Sequence, residues 1–383
     1  MKVMIVVHSL LGGGAERVAA NLAHDWAERG WDVSLVTLLS QASDFYTVGS
    51  QVRRIALNLA DGSNSIIDNA LTANVRRIVR LRRVIRTDAP HVVLGIDTPG
   101  SVLSILASRG LPCKVIATEH SHPPQIGGRR WKILRRWLYS SADQVVALTR
   151  ETGAWLEQHC RCKRVKVIPN AVSLPIPVIE PVLETGPIVA ADRRMLLAVG
   201  RLVETKGFDR LIDAFAQIAA DVPQWDLVIL GDGREHDALQ SRLASAGLTG
   251  RVLLPGRAGN VADWYARADL YVMSSRFEGF PMTLTEAMAS GCPAVSYDCD
   301  TGPRDIIEHG DNGLLVRPVG DTQKLAEALH TLMTNDRERA RMAARAPRVL
   351  ESFSPARTFA KWREVFAEAG VRVPPDARNE WAT

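Results

Sequence analysis

The feature that most constrains the fold is a twice-repeated alternation of short apolar runs with helix-patterned segments. Runs at residues 3–7, 33–38, 92–96, 115–118, 144–147 and 165–168 read as strands, and helical segments separate them. Alternation of this kind gives a doubly wound parallel sheet. The pattern stops at residues 173–188, S-L-P-I-P-V-I-E-P-V-L-E-T-G-P-I, where four prolines favour an extended, semi-rigid linker over a packed element. It restarts at 194–199 and continues through 227–230, 252–254, 270–273, 294–297 and 314–316. At 383 residues the length also favours two domains. The expected class is therefore α/β, with two parallel-sheet domains whose strands' carboxyl ends face a cleft, the usual ligand position in open α/β sheets.

Residues 276–291, R-F-E-G-F-P-M-T-L-T-E-A-M-A-S-G, read as a turn and a helix following the strand at 270–273. Pro281 suits the first helical turn, where its missing N–H costs nothing. The free amides of Met282, Thr283 and Leu284 would then form an anion site, most plausibly for phosphate. Glu286 falls about one turn into that helix and Glu278 on the turn before it. Acids make poor phosphate ligands but good acceptors for sugar hydroxyls.

This acid–seven residues–acid pattern resembles the retaining glycosyltransferases of family 4, which have the GT-B architecture of two Rossmann-like domains. The segment Val199-Gly-Arg-Leu-Val-Glu-Thr-Lys-Gly207 resembles that family's diphosphate-binding G-R-x-x-x-x-K-G. Gly231-Asp-Gly233, Gly12-Gly-Gly-Ala-Glu-Arg17 and Glu119-His-Ser121 fit in order and spacing. The resemblance implies an acceptor-side domain at 1–172, a linker at 173–192 and a nucleotide-sugar domain at 193–354. At 355–383 it implies a C-terminal helix, with Trp362 and Phe366 on one face, that crosses back to the first domain. Residues 376–383 are expected to fray.

Arg201 and Lys206 follow a strand end and bracket a turn, so they form a clamp for two phosphates, Arg as a fork and Lys as a point charge. The resemblance implies that both bind the leaving nucleoside diphosphate and stabilise its developing charge, a contribution that usually dominates. It also implies that His120 hydrogen-bonds a donor-sugar hydroxyl and polarises the reacting centre, with Glu119 and His122 as second choices. The catalytic set is thus His120, Glu278, Arg201 and Lys206. Donor binding adds Gly13, Gly14, Arg257, Met282, Thr283, Leu284 and Glu286, with the base expected near residues 257–261. Gly12 is assigned to the acceptor side.

Rival readings of these motifs are weaker. G-G-G-A-E-R is not the dinucleotide fingerprint G-x-G-x-x-G, and no Gly-Lys-Ser/Thr follows to make a P-loop. Asp298-Cys-Asp300 imitates the metal pair of another glycosyltransferase fold, but Arg201 and Lys206 already supply positive charge; no metal or other cofactor is expected, and the pair reads as loop residues near the donor sugar. Cys160 and Cys162 lie too close for an ordinary zinc knuckle and have no second pair, so the five cysteines read as reduced thiols. No run of eighteen apolar residues occurs, and residues 1–7 read as a first buried strand rather than a leader.

Charge is unevenly divided. Residues 1–170 hold 23 Lys+Arg against 13 Asp+Glu, a net of +10, and the remainder holds 24 against 29, a net of −5, giving +5 for the chain. Much of the excess lies in two helical segments. One presents Arg76, Arg80 and Arg83; the other is expected to group Arg129, Lys132, Arg135 and Arg136 opposite Trp131, Leu134, Trp137 and Leu138. An anionic membrane surface or a lipid-linked acceptor is the economical partner. Nucleic acid has no recognition motif here.

The expectation is a cytoplasmic retaining glycosyltransferase, peripherally bound to the inner face of the cell membrane. It would move a hexose or N-acetylhexosamine from a UDP-sugar to a glycan on polyprenyl diphosphate. A GDP-mannose-dependent mannosyltransferase is the alternative within the class. A catalytically silent sugar-nucleotide-binding protein is the alternative outside it, and the intact Arg201, Lys206, Glu278, Glu286 and His120 argue against that.

Overall fold

Short β-branched runs do form the strands, and they assemble into two wholly parallel sheets. In the computed structural model, which describes residues 1–59, 70–125, 129–162 and 165–376, the first sheet contains β1 (Lys2–Val7), β2 (Asp32–Thr37), β3 (Arg53–Ala56), β4 (Val92–Gly95), β5 (Lys114–Glu119), β6 (Gln144–Ala147) and β7 (Val165–Val167). Its order is β3-β2-β1-β4-β5-β6-β7. The second sheet contains β8 (Arg194–Val199), β9 (Trp225–Leu230), β10 (Val252–Gly256), β11 (Leu270–Met273), β12 (Ala294–Tyr297) and β13 (Gly313–Val316), in the order β10-β9-β8-β11-β12-β13. β3 was not expected from the sequence. Its Arg-Arg-Ile-Ala pairs only with β2 at the sheet edge, where two charged side chains are tolerated.

Chain direction of travel reverses between β1 and β4 in the first sheet and between β8 and β11 in the second. Ligands of open α/β sheets bind where the strand order reverses, beyond the strands' carboxyl ends. The loops after β1, β4, β8 and β11 are therefore the ones the topology marks out.

The chain divides into one unit of Met1–Asn170 with Thr358–Thr383 and a second of Ala171–Arg357. The Pro-rich stretch is not a free linker. Its backbone amides need acceptors, and they find them within the second unit: Ile179 N–H donates to Gly259 O (3.2 Å) and Leu183 N–H to Asn260 Oδ1 (2.9 Å). Trp264 Nε1 donates in turn to Leu183 O (3.2 Å).

The C-terminal helix Pro355–Glu368 buries Phe359, Trp362, Val365 and Phe366 in the first unit's core. There Phe366 meets Trp26 at 5.3 Å and Phe359 meets Trp31 at 5.1 Å between ring centroids. Aromatic pairs at such distances contribute about 0.5–1.5 kcal/mol each beyond their burial. Asp376, expected to fray, is instead buried and ion-paired with the buried Arg29. An arginine at 5% exposure requires a counter-charge, and the tail supplies it. Residues 377–383 lie outside the described residues.

Candidate active site

At the second sheet's reversal point, the chain leaves β8 through Gly200 and Arg201 and makes a single 3-10 turn, Glu204–Lys206. Gly207 ends that turn in the left-handed region (φ 64°), and a Cβ there would collide with Ser274 O at the end of β11. The loop is pinned to β11 by two bonds: Ser274 Oγ donates to Lys206 O (2.9 Å) and Arg276 N–H to Thr205 O (2.8 Å). Lys206 Nζ then donates to Glu278 Oε1 at 2.6 Å, with Ser275 Oγ on the same oxygen at 2.6 Å. Glu278's own carbonyl accepts from Thr301 Oγ1. Glu278 is thus fixed at both ends, and it holds Lys206 in place. Arg201 is exposed, and its guanidinium has no hydrogen-bond or ion-pair partner among the described residues.

The helix Met282–Ala289 follows, and here the expectation needs correcting in two details. Pro281 is the residue before the first turn, not within it. Met282 N–H is not free, because it donates back to Phe280 O (3.0 Å). The Thr285 amide bonds Pro281 O, which leaves the amides of Thr283 and Leu284 without an acceptor among the described residues. A helix needs partners for such amides, and an anion supplies them. Glu286 lies one turn further in, buried, and accepts from Tyr265 OH (3.3 Å); Tyr271 OH donates to Thr283 Oγ1 (2.9 Å). Arg257 is exposed just beyond β10.

Asp298 is not a loop residue open to a sugar. It is buried and holds ion pairs with Arg304 (2.9 Å) and Arg317, which neutralise a carboxylate that burial alone would make costly.

In the first unit, Gly12, Gly13 and Gly14 follow β1 and lead into the helix Gly14–Glu28. The backbone explains two of the three. Gly12 has φ 121°, and Gly13 leaves room for the Glu16 carboxylate, which accepts from its N–H. A Cβ on Gly14 would meet nothing within 4 Å, so the fold itself does not demand glycine there.

His120 directly follows β5. Its Nε2 lies 2.9 Å from Thr118 Oγ1, while Nδ1 is enclosed and has no partner among the described residues. Burial pushes the imidazole pKa down to about 4, against the opposing pull of Asp97. Glu119 points the other way into a closed network: Arg135 donates to it through Nε (2.9 Å) and Nη2 (3.2 Å), Thr98 Oγ1 donates at 2.7 Å and Tyr139 OH at 2.9 Å. Burial raises its pKa to about 7, with the nearby Asp97 charge adding to the effect. His122 is also buried, with Nδ1 3.2 Å from Thr152 Oγ1.

Known proteins agree with this layout. Residues 12–174 match the family model described as Glycosyltransferase Family 4, and residues 187–349 match Glycosyl transferases group 1, so that the two together take in most of the chain. The chain belongs to glycosyltransferase family 4. It is an enzyme of that retaining family, with the GT-B fold. An uncharacterized glycosyltransferase of Haemophilus influenzae is 26% identical over 354 residues, 92% of this chain and 96% of that protein. A Campylobacter jejuni protein, "GalNAc-alpha-(1->4)-GalNAc-alpha-(1->3)-diNAcBac-PP-undecaprenol alpha-1,4-N-acetyl-D-galactosaminyltransferase", is 24% identical over 369 residues, 96% of this chain and 99% of its own. The crystal structure of Anabaena HepE in complex with UDP and glucose is similar at TM-score 0.76 and 20% identity, over 96% of this chain and 99% of that one.

For this family 4 enzyme the basic helices need one clear correction. In the helix Arg129–Leu138, Arg135 is 1% exposed and serves Glu119, whereas Trp137, placed on the buried side, is 57% exposed beneath Arg161 (4.8 Å to the ring centroid). The apolar side still packs inward through Trp131, Leu134 and Leu138, and the buried Glu119 carboxylate draws Arg135 in from the basic side. Lys132 and Arg136 remain exposed, and the Arg129 side chain lies outside the described residues. In the helix Ala70–Asp88, Arg76, Arg80 and Arg83 are all exposed. Together with Leu59, Thr72, Val75 and Val79 they line a groove of about 630 Å³. Asp97 and Thr118 in the first unit, and Tyr265, Ser275 and Thr301 in the second, carry no motif; only strand order and contacts within each unit bring them beside the residues described above.

Proposed function

We propose that this enzyme moves a hexose or N-acetylhexosamine from a UDP-sugar to a glycan carried on polyprenyl diphosphate, with retention at the anomeric carbon. The observation that carries the donor half is the second unit's reversal point, where partnerless Arg201, Glu278-bound Lys206 and the open amides of Thr283 and Leu284 all suit a diphosphate. Arg201 and Lys206 offset the charge that develops on the leaving diphosphate. Glu278 positions Lys206, and Glu286 and Glu278 offer carboxylates to sugar hydroxyls. His120 offers a neutral imidazole to a hydroxyl. HepE's complex with UDP and glucose supports the choice of nucleotide, and the Campylobacter relative's PP-undecaprenol acceptor supports the lipid carrier.

The groove of the helix Ala70–Asp88 supports docking of the first unit on an anionic membrane. Val75 and Val79 are 52% and 51% exposed between the arginines, an apolar strip flanked by positive charge. Each basic residue near such a surface contributes about 1 kcal/mol. Changing Arg76, Arg80 and Arg83 to glutamate should abolish sedimentation with anionic liposomes while sparing hydrolysis of the donor. Equal binding to neutral and anionic liposomes would contradict the docking.

The test of the whole reading is product analysis of the purified enzyme against UDP-glucose, UDP-galactose, their N-acetylhexosamine counterparts and GDP-mannose, with a polyprenyl diphosphate glycan as acceptor. A product formed only from GDP-mannose, or only on a soluble acceptor, would overturn it.

A further inference from the structure

Lys206 stands on little structure of its own. The turn Glu204–Lys206 closes with Lys206 N–H on Val203 O (2.9 Å) and Gly207 N–H on Glu204 O (3.1 Å). Hydrogen bonds of 3-10 type have poorer geometry than α-helical ones, so a single turn does little to fix its residues. A lysine side chain adds a flexible hydrocarbon stem beyond it. Yet the Lys206 ammonium meets the Glu278 carboxylate at 2.6 Å. Something outside the turn has to hold the lysine's backbone still.

Arg276, on the loop after β11, takes hold of the chain on both sides of Lys206. Its backbone N–H donates to Thr205 O (2.8 Å), the residue before the lysine. Its side chain donates through Nη2 to Asp209 Oδ2 (2.8 Å), beyond the lysine in the first turn of the helix Phe208–Ile218. The two side chains are 23% and 35% exposed, so salt screens this pair less than one fully in water. Arg276 Nη1 is enclosed and has no partner among the described residues. An enclosed N–H left unused costs free energy, and the Asp209 charge offsets it. The same loop carries Ser274, whose Oγ donates to Lys206 O (2.9 Å), and then Glu278 itself.

Resting on the diphosphate reading of the second reversal point, we propose that Arg276 and Asp209 are positioning residues for Lys206. Their ion pair locks the loop after β11 onto the turn after β8, which holds the ammonium where the leaving diphosphate develops its charge. Both act through Lys206. Misplacing a reacting group by about 1 Å can cost on the order of 100-fold in rate, so the pair matters more to the chemistry than its partial exposure suggests. A purely structural pair is the competing role, and it predicts losses that do not depend on Lys206.

The test is a double-variant cycle read by calorimetric titration of UDP into the whole enzyme. Asp209→Asn keeps the size of the side chain and removes its charge. In the wild-type background it should weaken UDP binding roughly 10-fold, as for a lost charge-assisted contact, and Arg276→Gln should match it. In the Lys206→Ala background either change should cost less than about twofold, because residues that act through one another are not additive. Equal losses in both backgrounds would overturn the proposal, as would undiminished UDP binding in Asp209→Asn and Arg276→Gln. The Arg276 contact with Asp209 uses one nitrogen, so Arg276→Lys should recover most of the affinity; a loss as large as that of Arg276→Gln would reject the ion pair as the cause.

If Lys206→Ala alone leaves UDP binding undiminished, the diphosphate reading fails at Lys206 by itself. The pair is then judged by nitrogen NMR of the lysine ammonium groups, with the Lys206 signal identified by its absence in Lys206→Ala. The wild type should show a slowly exchanging ammonium bonded to Glu278, and Asp209→Asn should return it to the position of a free lysine. A signal unmoved by Asp209→Asn, or already at the free position in the wild type, rejects the positioning role.

Discussion

The two places where strand order reverses share a topology and differ in chemistry. After β8 and β11 the chain gathers cations and unused amide donors: Arg201, Lys206, Thr283 and Leu284. After β4 and β5 it gathers acceptors, a neutral histidine and the Asp97 carboxylate, while Glu119 is already committed to Arg135, Thr98 and Tyr139. One end suits an anion and the other suits hydroxyls. The sheets position both sets in the same way, so the division of labour lies in the loop residues and not in the fold.

The largest test of this contrast is Arg135. In the second unit Arg201 is exposed and Lys206 is paired at the site with Glu278, but in the first this cation is buried and consumed by structure. Arg135→Ala leaves Glu119 buried without its charge partner, which should cost about 3–5 kcal/mol of stability, read from denaturant unfolding. A loss below about 1 kcal/mol would mean that Arg135 is available to a ligand after all.

Arg201→Ala and Lys206→Ala come next. Each should cut turnover by roughly 10²–10³-fold, as for removal of one preorganised charge contact, with folding little affected because Arg201 is exposed and Lys206 is only partly buried. Near-normal turnover in a folded double variant would remove the anion assignment from the second reversal point.

A smaller effect is expected from pH. His120's folded pKa, about 4, lies below its ordinary value of 6.5, so the folded state binds fewer protons in that window. Its stabilising contribution is complete above pH 6.5 and is lost as pH falls towards 4. Glu119, raised from 4.5 to about 7, has the opposite sign and favours the folded state as pH falls through that range. NMR titration should therefore show His120 still neutral at pH 5.5; an inflection near 6.5 would place it in water. The smallest effect is that of EDTA, which should leave most activity intact, because Arg201 and Lys206 carry the charge and Asp298 is already paired with two arginines. Loss on chelation, restored by magnesium, would contradict this.

The second site was more legible in the sequence than the first, for a physical reason. Its residues sit on two local stretches, 199–207 and 278–286, where strand, turn and helix follow each other within a few positions. Periodicity and turn chemistry suffice for such segments. Asp97 and His120 are brought together by strand pairing across more than twenty positions, and no local pattern encodes it. Arg135 shows the same limit: helical spacing defines faces, but only a partner from β5 draws a basic residue inward beside the apolar ones. β3 went unread because its two arginines disguise a strand at the sheet edge. Met282 went astray at the level of a single amide, since the tight Phe280–Met282 bond depends on how the chain turns through Pro281.

The central claim, that the second unit's reversal point is the diphosphate site, is tested most directly by calorimetric titration of UDP into the wild-type enzyme and the Arg201→Ala/Lys206→Ala double variant. The account predicts that the double variant loses at least about 100-fold in affinity, the sum of two charge-assisted contacts, while its His120 nitrogen shifts stay as in the wild type. Undiminished UDP binding by a folded double variant would contradict it.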